Sequence, residues 1–201
     1  MTPAHDDLPS GPTTQIIVVM GVSGAGKSTI GRRLAGRIGA EFVEGDDFHP
    51  EENVARMSAG LPLTDEHREP WLDALAVQVT DAAATNTPTV IACSALRRSH
   101  RDQIRSAGPV AFVFLLAEPD ELARRVESRD HDFMPPELLD DQLTTLEPPG
   151  PDEVDVLVVE AAGSVGATVD ASLDALGIVG PQTGRDTGSS TNDTRTGRDS
   201  A

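Results

Sequence analysis

The feature that most constrains this fold is a glycine-rich octapeptide set between an apolar run and a helical pattern. The apolar run is residues 15–20 (QIIVVM), whose β-branched side chains predict a buried strand. The octapeptide is residues 21–28 (GVSGAGKS), and the apolar residues of 27–38 then recur at helical spacing. A strand, a glycine-rich turn and a helix in this order predict an α/β domain with the turn at the carboxyl end of a strand.

The octapeptide matches the pattern G-x-x-x-x-G-K-[ST] of a phosphate-binding P-loop. Glycines let backbone N–H groups turn inward, and the following helix adds its free N–H groups and positive dipole end. We therefore predict ATP and Mg²⁺ as cofactors, with Lys27 at the outer phosphates and Ser28 as a metal ligand. A glycine turn with an incidental Lys-Ser is the alternative, which the flanking strand and helix disfavour. The predicted nucleotide-binding residues are Gly21, Val22, Ser23, Gly24, Ala25, Gly26, Lys27, Ser28 and Thr29.

The rest of the chain alternates apolar strands with helices. Further strands are predicted at residues 41–44, 89–93, 110–116 and 154–159. Helices are predicted at residues 53–58, 69–84, 97–105, 119–129, 137–146 and 165–176. The pattern predicts a three-layer α/β P-loop fold with a five-stranded parallel sheet, spanning residues 15–178. Residues 1–14 and 179–201 are polar and rich in Gly or Pro, which predicts two disordered tails.

Charge and composition exclude several classes of function. The formal net charge is −17, and a surface this negative repels nucleic acid backbones and anionic lipid. No run approaches the ~18 apolar residues of a membrane span, and the N-terminus lacks the pattern of a signal peptide. Cys93 is the single cysteine, so no intrachain disulfide forms. We expect a cytoplasmic protein that acts on small molecules.

Polar residues beyond the second strand suggest where an acceptor binds. Ligands of open parallel sheets gather beyond the carboxyl ends of strands, which places Asp46 near the terminal phosphate. Asp46 can accept the proton of an attacking hydroxyl or hold the metal through water; the alternative is that Asp46 and Asp47 cap the next helix. His49 is either a core histidine or a donor to substrate. Arg68 either pairs an anionic substrate or is a solvated charge at a helix start.

Four segments in this order resemble the gluconokinase family. They are residues 45–53 (GDDFHPEEN), 57–65 (MSAGLPLTD), 68–72 (REPWL) and 93–98 (CSALRR). The resemblance covers Ile16 to about Val159. It implies ATP-dependent phosphorylation of D-gluconate to 6-phospho-D-gluconate, which feeds the pentose phosphate pathway. It also implies a fold like shikimate and nucleoside monophosphate kinases, and a homodimer.

The resemblance also suggests roles for single residues. Asp46 becomes the general base, while Lys27, Arg125 and Arg129 stabilise the transferring phosphoryl group. The residues expected to bind gluconate are Asp46, His49, Arg68, Ser94 and Arg97. Arg125 and Arg129 share one helix face and begin a lid of about residues 126–146. The alternative for these two arginines is an exposed basic face paired with neighbouring glutamates.

The sequence departs from the family within this lid. His131 stands where the family usually has glycine, Asp132 where it has histidine, and Asp141 where serine is common. Acidic groups near ATP are expected to weaken binding or slow closure, unless they face solvent. His131 takes the role of the family's histidine if that role moves by one position along the chain.

Two other functions remain open from the residues alone. One keeps the kinase chemistry but changes the acceptor to shikimate or another sugar acid. The other is a nucleotide-binding regulator that has lost turnover through the altered lid. The intact octapeptide, Asp46 and Arg68 favour the enzyme.

Overall fold

The computed structural model of the chain describes residues 15–127 and 136–178. Its strands are β1 (Ile16–Met20), β2 (Glu41–Glu44), β3 (Thr89–Ala92), β4 (Ala111–Leu116) and β5 (Val156–Glu160). Its helices are α1 (Lys27–Ile38), α2 (Glu51–Ser58), α3 (Asp65–Thr85), α4 (Arg98–Ser106), α5 (Pro119–Glu127), α6 (Pro136–Thr145) and α7 (Val165–Ala175), with a 3₁₀ turn at Gly45–Phe48. The two predicted tails lie outside the described residues.

The five strands form one parallel sheet in the order β2-β3-β1-β4-β5. Val18 of β1 is paired with Ile91 of β3 on one side and Phe112 of β4 on the other. Because all pairs are parallel, the loops that follow the strands meet at one edge of the sheet. The predicted fold class is confirmed, and the glycine-rich turn lies at the centre of that edge.

Alternating side chains of β1 enter two separate cores. Ile17 and Val19 pack in a cluster with residues of α1 and α7, including Leu34 and Val169. Ile16, Val18 and Met20 pack in a second cluster with residues of α3 and α4, including Trp71, Leu75 and Ile104. The sheet is thus covered on both faces, which explains why its central strand is apolar at every position. Among the described residues, no helix is both long enough and apolar enough to span a bilayer.

Two element boundaries differ from the sequence prediction for identifiable reasons. Helix α3 begins at Asp65, four residues before the predicted start, because Thr64 caps it. The hydroxyl of Thr64 accepts from the backbone N–H of His67, and the His67 ring accepts from the Thr64 backbone N–H. Strand β5 begins at Val156 instead of residue 154, since Val154 is 87% exposed.

A buried ion pair fixes the loop that follows β3. Arg101 and Glu153 are both almost fully buried, and their side chains form two hydrogen bonds of 2.6 and 2.7 Å. Arg101 Nη1 also donates to the backbone carbonyls of Ala95, Leu96 and Glu147. The pair therefore holds the loop after β3 against the segment that follows α6.

Candidate active site

The turn after β1 has the backbone of a phosphate-binding loop. Gly26 has φ +96° and is the N-cap of α1, where it offers no side chain to cap the helix. The first N–H groups of α1 are therefore not bound by their own N-cap side chain. A helix N-terminus with such N–H groups, at the end of a glycine-rich turn, can bind an anion.

The lysine and serine of the motif lie on the side of this turn that faces β2. Lys27 Nζ donates to the carbonyl of Val22 (3.2 Å), and the Ser28 hydroxyl donates to the carboxylate of Glu44. Burial raises the pKa of Glu44, and the hydrogen bond from Ser28 opposes that rise. Arg32 also pairs with Glu44 at 3.1 Å. Oxygen ligands for a hard cation are thus present next to the loop.

Sequence reasoning missed Glu44. It is the last residue of β2, so the rule that placed Asp46 at the carboxyl edge of the sheet applies to it as well. The sequence prediction places it only in the strand. The signal was available, because a carboxylate at a strand end in this position faces the turn after β1.

A cavity of about 50 Å³ brings together most of the predicted acceptor residues. Its walls include the predicted residues Lys27, Asp46, His49, Arg68 and Ser94. The acid beyond β2 and the lysine of the motif therefore share one cavity, as a phosphoryl transfer site requires. Met57, Leu61, Trp71, Asp141 and Gln142 also line it, and sequence reasoning gave these five no role in acceptor binding.

The charges around this cavity act on one another. Burial, and then Asp46, raise the pKa of the Cys93 thiol to about 12, while Lys27 opposes the rise. Burial lowers the pKa of Arg68, and Asp141 is the strongest charge that opposes this. The cavity thus combines two cations, Lys27 and Arg68, with two carboxylates, Asp46 and Asp141.

His49 is held as a flat wall of the cavity. Its ring stacks on Trp71 with the centroids 4.5 Å apart and the planes 12° from parallel. Trp71 is itself fixed by a 2.7 Å hydrogen bond from Nε1 to the carbonyl of Gly45. Burial lowers the pKa of His49, with Asp46 opposing, and thereby favours the neutral ring.

Arg97 lies apart from the other predicted acceptor residues. It is not among the described residues that line the cavity, and its Nη1 donates to Asp65 at 2.6 Å. Arg97 is the N-cap residue of α4, which directs its side chain toward the start of α3. Its assignment to gluconate binding remains a prediction without support from the geometry.

A second cavity, of about 320 Å³, borders the other part of the turn. Small-molecule sites are typically ~300–1,000 Å³, so it can hold a nucleoside. Arg125 lies here, where Nη2 donates to the carbonyl of Ala161 (2.9 Å) and Nε to Glu121 (2.8 Å). Its other walls include Gly24, Ala25, Gly26, Thr29, Gly163 and Val165. Arg129, His131 and Asp132 lie outside the described residues.

Helix α6 contacts the phosphate-binding turn directly. The side-chain oxygen of Gln142 accepts a 2.7 Å hydrogen bond from the backbone N–H of Ser23. Backbone N–H groups of such a turn are the donors that bind phosphate oxygens. Gln142 therefore takes up one N–H group of the phosphate-binding turn in this structure.

The parallel sheet, the glycine-rich turn at its carboxyl edge and the lysine beside a carboxylate define a P-loop kinase of small molecules. The family model described as an AAA domain matches residues 16–149. A gluconokinase of Gluconobacter oxydans is 46% identical over 140 residues, which cover 69% of this chain and 79% of that protein. The chain belongs to the gluconokinase family, which confirms the resemblance seen in its sequence.

Solved structures agree with this assignment. A gluconokinase from Sinorhizobium meliloti, known from its crystal structure, is 45% identical in sequence to this chain and has a TM-score of 0.73. The match covers 80% of this chain and 90% of that one. A shikimate kinase from Bacteroides thetaiotaomicron is 21% identical, with a TM-score of 0.60, over 81% of this chain and 98% of that one. The second match concerns the fold alone, and it confirms the predicted likeness to shikimate kinases.

Proposed function

We propose that this protein transfers the terminal phosphoryl group of ATP to D-gluconate and forms 6-phospho-D-gluconate and ADP. The observation that carries the proposal is the single cavity shared by Lys27, Asp46 and Arg68 beside the P-loop. Membership of the gluconokinase family supports the choice of acceptor. Arg68 provides a cation for the carboxylate of a sugar acid, and Asp46 provides a proton acceptor for its hydroxyl.

ATP is proposed to lie along the P-loop between the two cavities. The larger cavity takes the base and ribose, with Arg125 in its wall, and the loop N–H groups take the phosphates. The terminal phosphate then reaches Lys27 in the smaller cavity. In this arrangement Arg125 acts on the nucleotide, and Arg129 is proposed to act on the transferring group.

The residues beside the loop fit a magnesium ion. The Ser28 hydroxyl would be a direct ligand, and the Glu44 carboxylate that accepts from it would hold a water of the ion. Mg²⁺ keeps several waters and binds few protein oxygens, so this small donor set is sufficient. When bound, the ion neutralises charge on the ATP phosphates.

The transfer step uses the residues of the smaller cavity. Arg68 pairs the carboxylate of gluconate and directs its far hydroxyl toward the terminal phosphorus. Asp46 takes the hydroxyl proton as the new P–O bond forms and the bond to ADP breaks. Lys27 stabilises the negative charge on the transferring oxygens.

The smaller cavity must widen before gluconate enters. Its volume of about 50 Å³ is far below the ~300 Å³ at which small-molecule sites typically begin. Asp141 and Gln142 of α6 are in its wall, so displacement of α6 enlarges it. We propose that α6 belongs to a lid of about residues 126–146, part of which lies outside the described residues.

The further expectations are a cytoplasmic location and a homodimer. A reducing compartment agrees with the single cysteine, and the dimer rests on the family resemblance alone. Light scattering during size-exclusion chromatography measures the dimer directly. A mass of about 42 kDa, twice that of the 21.2 kDa chain, is expected.

A coupled ADP-release assay tests the proposed function. We expect ADP release that requires gluconate and does not occur with shikimate or a neutral sugar. Lys27→Ala and Asp46→Ala should each lower kcat/KM at least about 100-fold, the usual contribution of a general base or of oxyanion stabilisation. Asp47→Ala is the matched control, because this adjacent carboxylate is not in the cavity wall, and it should stay within about threefold of wild type.

Gluconate-independent ADP release, or equal losses from Asp46→Ala and Asp47→Ala, would contradict the mechanism. ATP binding without ADP release under any acceptor would indicate a nucleotide-binding regulator.

A further inference from the structure

The amide of Asn53 contacts His49, the histidine in the cavity wall. Asn53 is on the first turn of α2, four residues after His49, and only 2% of it is exposed. Its Nδ2 is 2.6 Å from the carbonyl oxygen of His67 and 3.4 Å from Nδ1 of His49. A buried polar side chain with two such contacts has a defined orientation.

The short contact with His67 determines which end of the amide is nitrogen. A carbonyl oxygen only accepts hydrogen bonds, so the Asn53 atom 2.6 Å away must be the NH₂ group. This group has a second hydrogen, which is available for the 3.4 Å contact with Nδ1 of His49. That ring nitrogen must then be an acceptor, without a proton of its own.

A histidine whose Nδ1 accepts carries its proton on Nε2. Stacking on Trp71 fixes the plane of the same ring, and the ring borders the cavity. His49 therefore presents a neutral N–H donor at a set angle. Burial and Arg68 both lower the pKa of His49, while Asp46 acts in the opposite direction.

We propose that Asn53 is a positioning residue that holds His49 as the Nε2–H tautomer, so that His49 donates to an oxygen of the acceptor. The inference deepens the proposed function and rests on it, because the acceptor oxygen is taken to belong to a sugar acid. The other charged groups of the cavity are Lys27, Arg68, Asp46 and Asp141. Arg68 supplies the charge for the carboxylate, which leaves the neutral donor suited to a hydroxyl oxygen.

Nitrogen NMR tests the tautomer without reference to activity. The full-length protein is labelled with ¹⁵N-histidine, and the His49 ring is assigned from the signals that disappear in His49→Gln. We expect the Nε2–H pattern at pH 7.5 in wild type, and a mixture of the two tautomers in Asn53→Ala. An Nδ1–H or doubly protonated His49 in wild type would overturn the proposal.

Steady-state kinetics test whether the Nε2–H tautomer of His49 contributes to gluconate binding. Loss of one oriented hydrogen bond should raise KM for gluconate about three- to tenfold in Asn53→Ala, with kcat and KM for ATP little changed. His49→Gln retains a donor close to the Nε2 position, so Asn53→Ala in that background should raise KM for gluconate no further. An equal rise in both backgrounds would show a structural effect of Asn53 and overturn the proposal.

The proposed function and the positioning role of Asn53 can be contradicted separately. If gluconate is not phosphorylated but His49 has the Nε2–H pattern in wild type and loses it in Asn53→Ala, the proposed function is wrong and the role of Asn53 in holding the tautomer stands. If gluconate is phosphorylated and KM for gluconate is unchanged in Asn53→Ala, the positioning role is wrong and the function stands. If Asn53→Ala does not fold, the wild-type spectrum and Asn53→Ser provide the same decision.

Discussion

Removal of the Glu153 carboxylate should destabilise the protein far more than removal of its neighbour. Glu153 is 5% exposed and accepts hydrogen bonds from Arg101 at 2.6 and 2.7 Å and from Arg105 at 3.0 Å. In Glu153→Ala, the Arg101 guanidinium remains buried with only backbone carbonyls, at 3.2 Å or more, as acceptors. Breaking a buried ion pair in this way typically costs about 3–5 kcal/mol of stability.

Urea denaturation of Glu153→Ala and Asp152→Ala measures this difference. Asp152 is the matched control, because this adjacent carboxylate pairs with Arg98 at the surface and exposed ion pairs contribute little. We expect the loss of about 3–5 kcal/mol in Glu153→Ala only. Equal losses in the two variants would refute the idea that the buried pair anchors the loop after β3.

The Arg101–Glu153 pair should also make the stability of the protein depend on acid pH. The hydrogen bond from Arg101 is the main cause that lowers the pKa of Glu153 from 4.5 to about 2. The unfolded chain therefore takes up this proton at a higher pH than the folded protein does. The contribution is complete above pH 4.5 and declines as the pH falls toward 2. Glu153→Gln should remove this part of the pH dependence of stability, and an unchanged acid slope would contradict the assignment.

Two further variants test the contacts of the cavity. Gly45→Ala should lower stability by about 1–3 kcal/mol and reduce kcat. The added Cβ would collide with the carbonyl of Ala92 and come within 2.9 Å of Cys93 Cβ. Gly36→Ala is the control in urea denaturation, since a Cβ there meets nothing within 4 Å. Gln142→Ala should lower the Kd for ATP up to about tenfold in calorimetry, because it removes a competitor for one loop N–H group. A weaker affinity for ATP would instead make Gln142 a part of the bound complex.

The sequence predicted the fold and the P-loop because both depend on local patterns. Residues 16–20 are apolar at every position, and a strand with this property must be covered on both faces. The placement of β3 between β1 and β2 was not predicted, because strand order depends on how the helices pack. The start of α3 was missed since its capping box uses His67 in place of the usual Glu or Gln.

The candidate site was predicted in the part that the P-loop motif and the segments of the family resemblance supply. Lys27 is the first residue of α1, after the turn that follows β1, and Asp46 lies in the 3₁₀ turn that follows β2, so their place at the carboxyl edge could be inferred. Asp141 and Gln142 also line the cavity, but their helix α6 lies almost a hundred residues after Asp46 in the chain. No local sequence pattern reveals such a contact. The Arg97–Asp65 ion pair was likewise not predicted, because its partner carboxylate lies on another helix, and the role of Arg97 in gluconate binding stays a prediction.

The most direct test of the phosphoryl transfer site is a single-turnover experiment with Asp46→Asn, which preserves the shape of the side chain and removes its capacity to accept a proton. Transfer from [γ-³²P]ATP to gluconate is measured at saturating substrates, and the Kd for ATP is measured on the same protein. We predict a transfer rate at least about 100-fold below wild type with the Kd for ATP within threefold. A transfer rate close to that of wild type would contradict the assignment of Asp46 as the proton acceptor beside the P-loop.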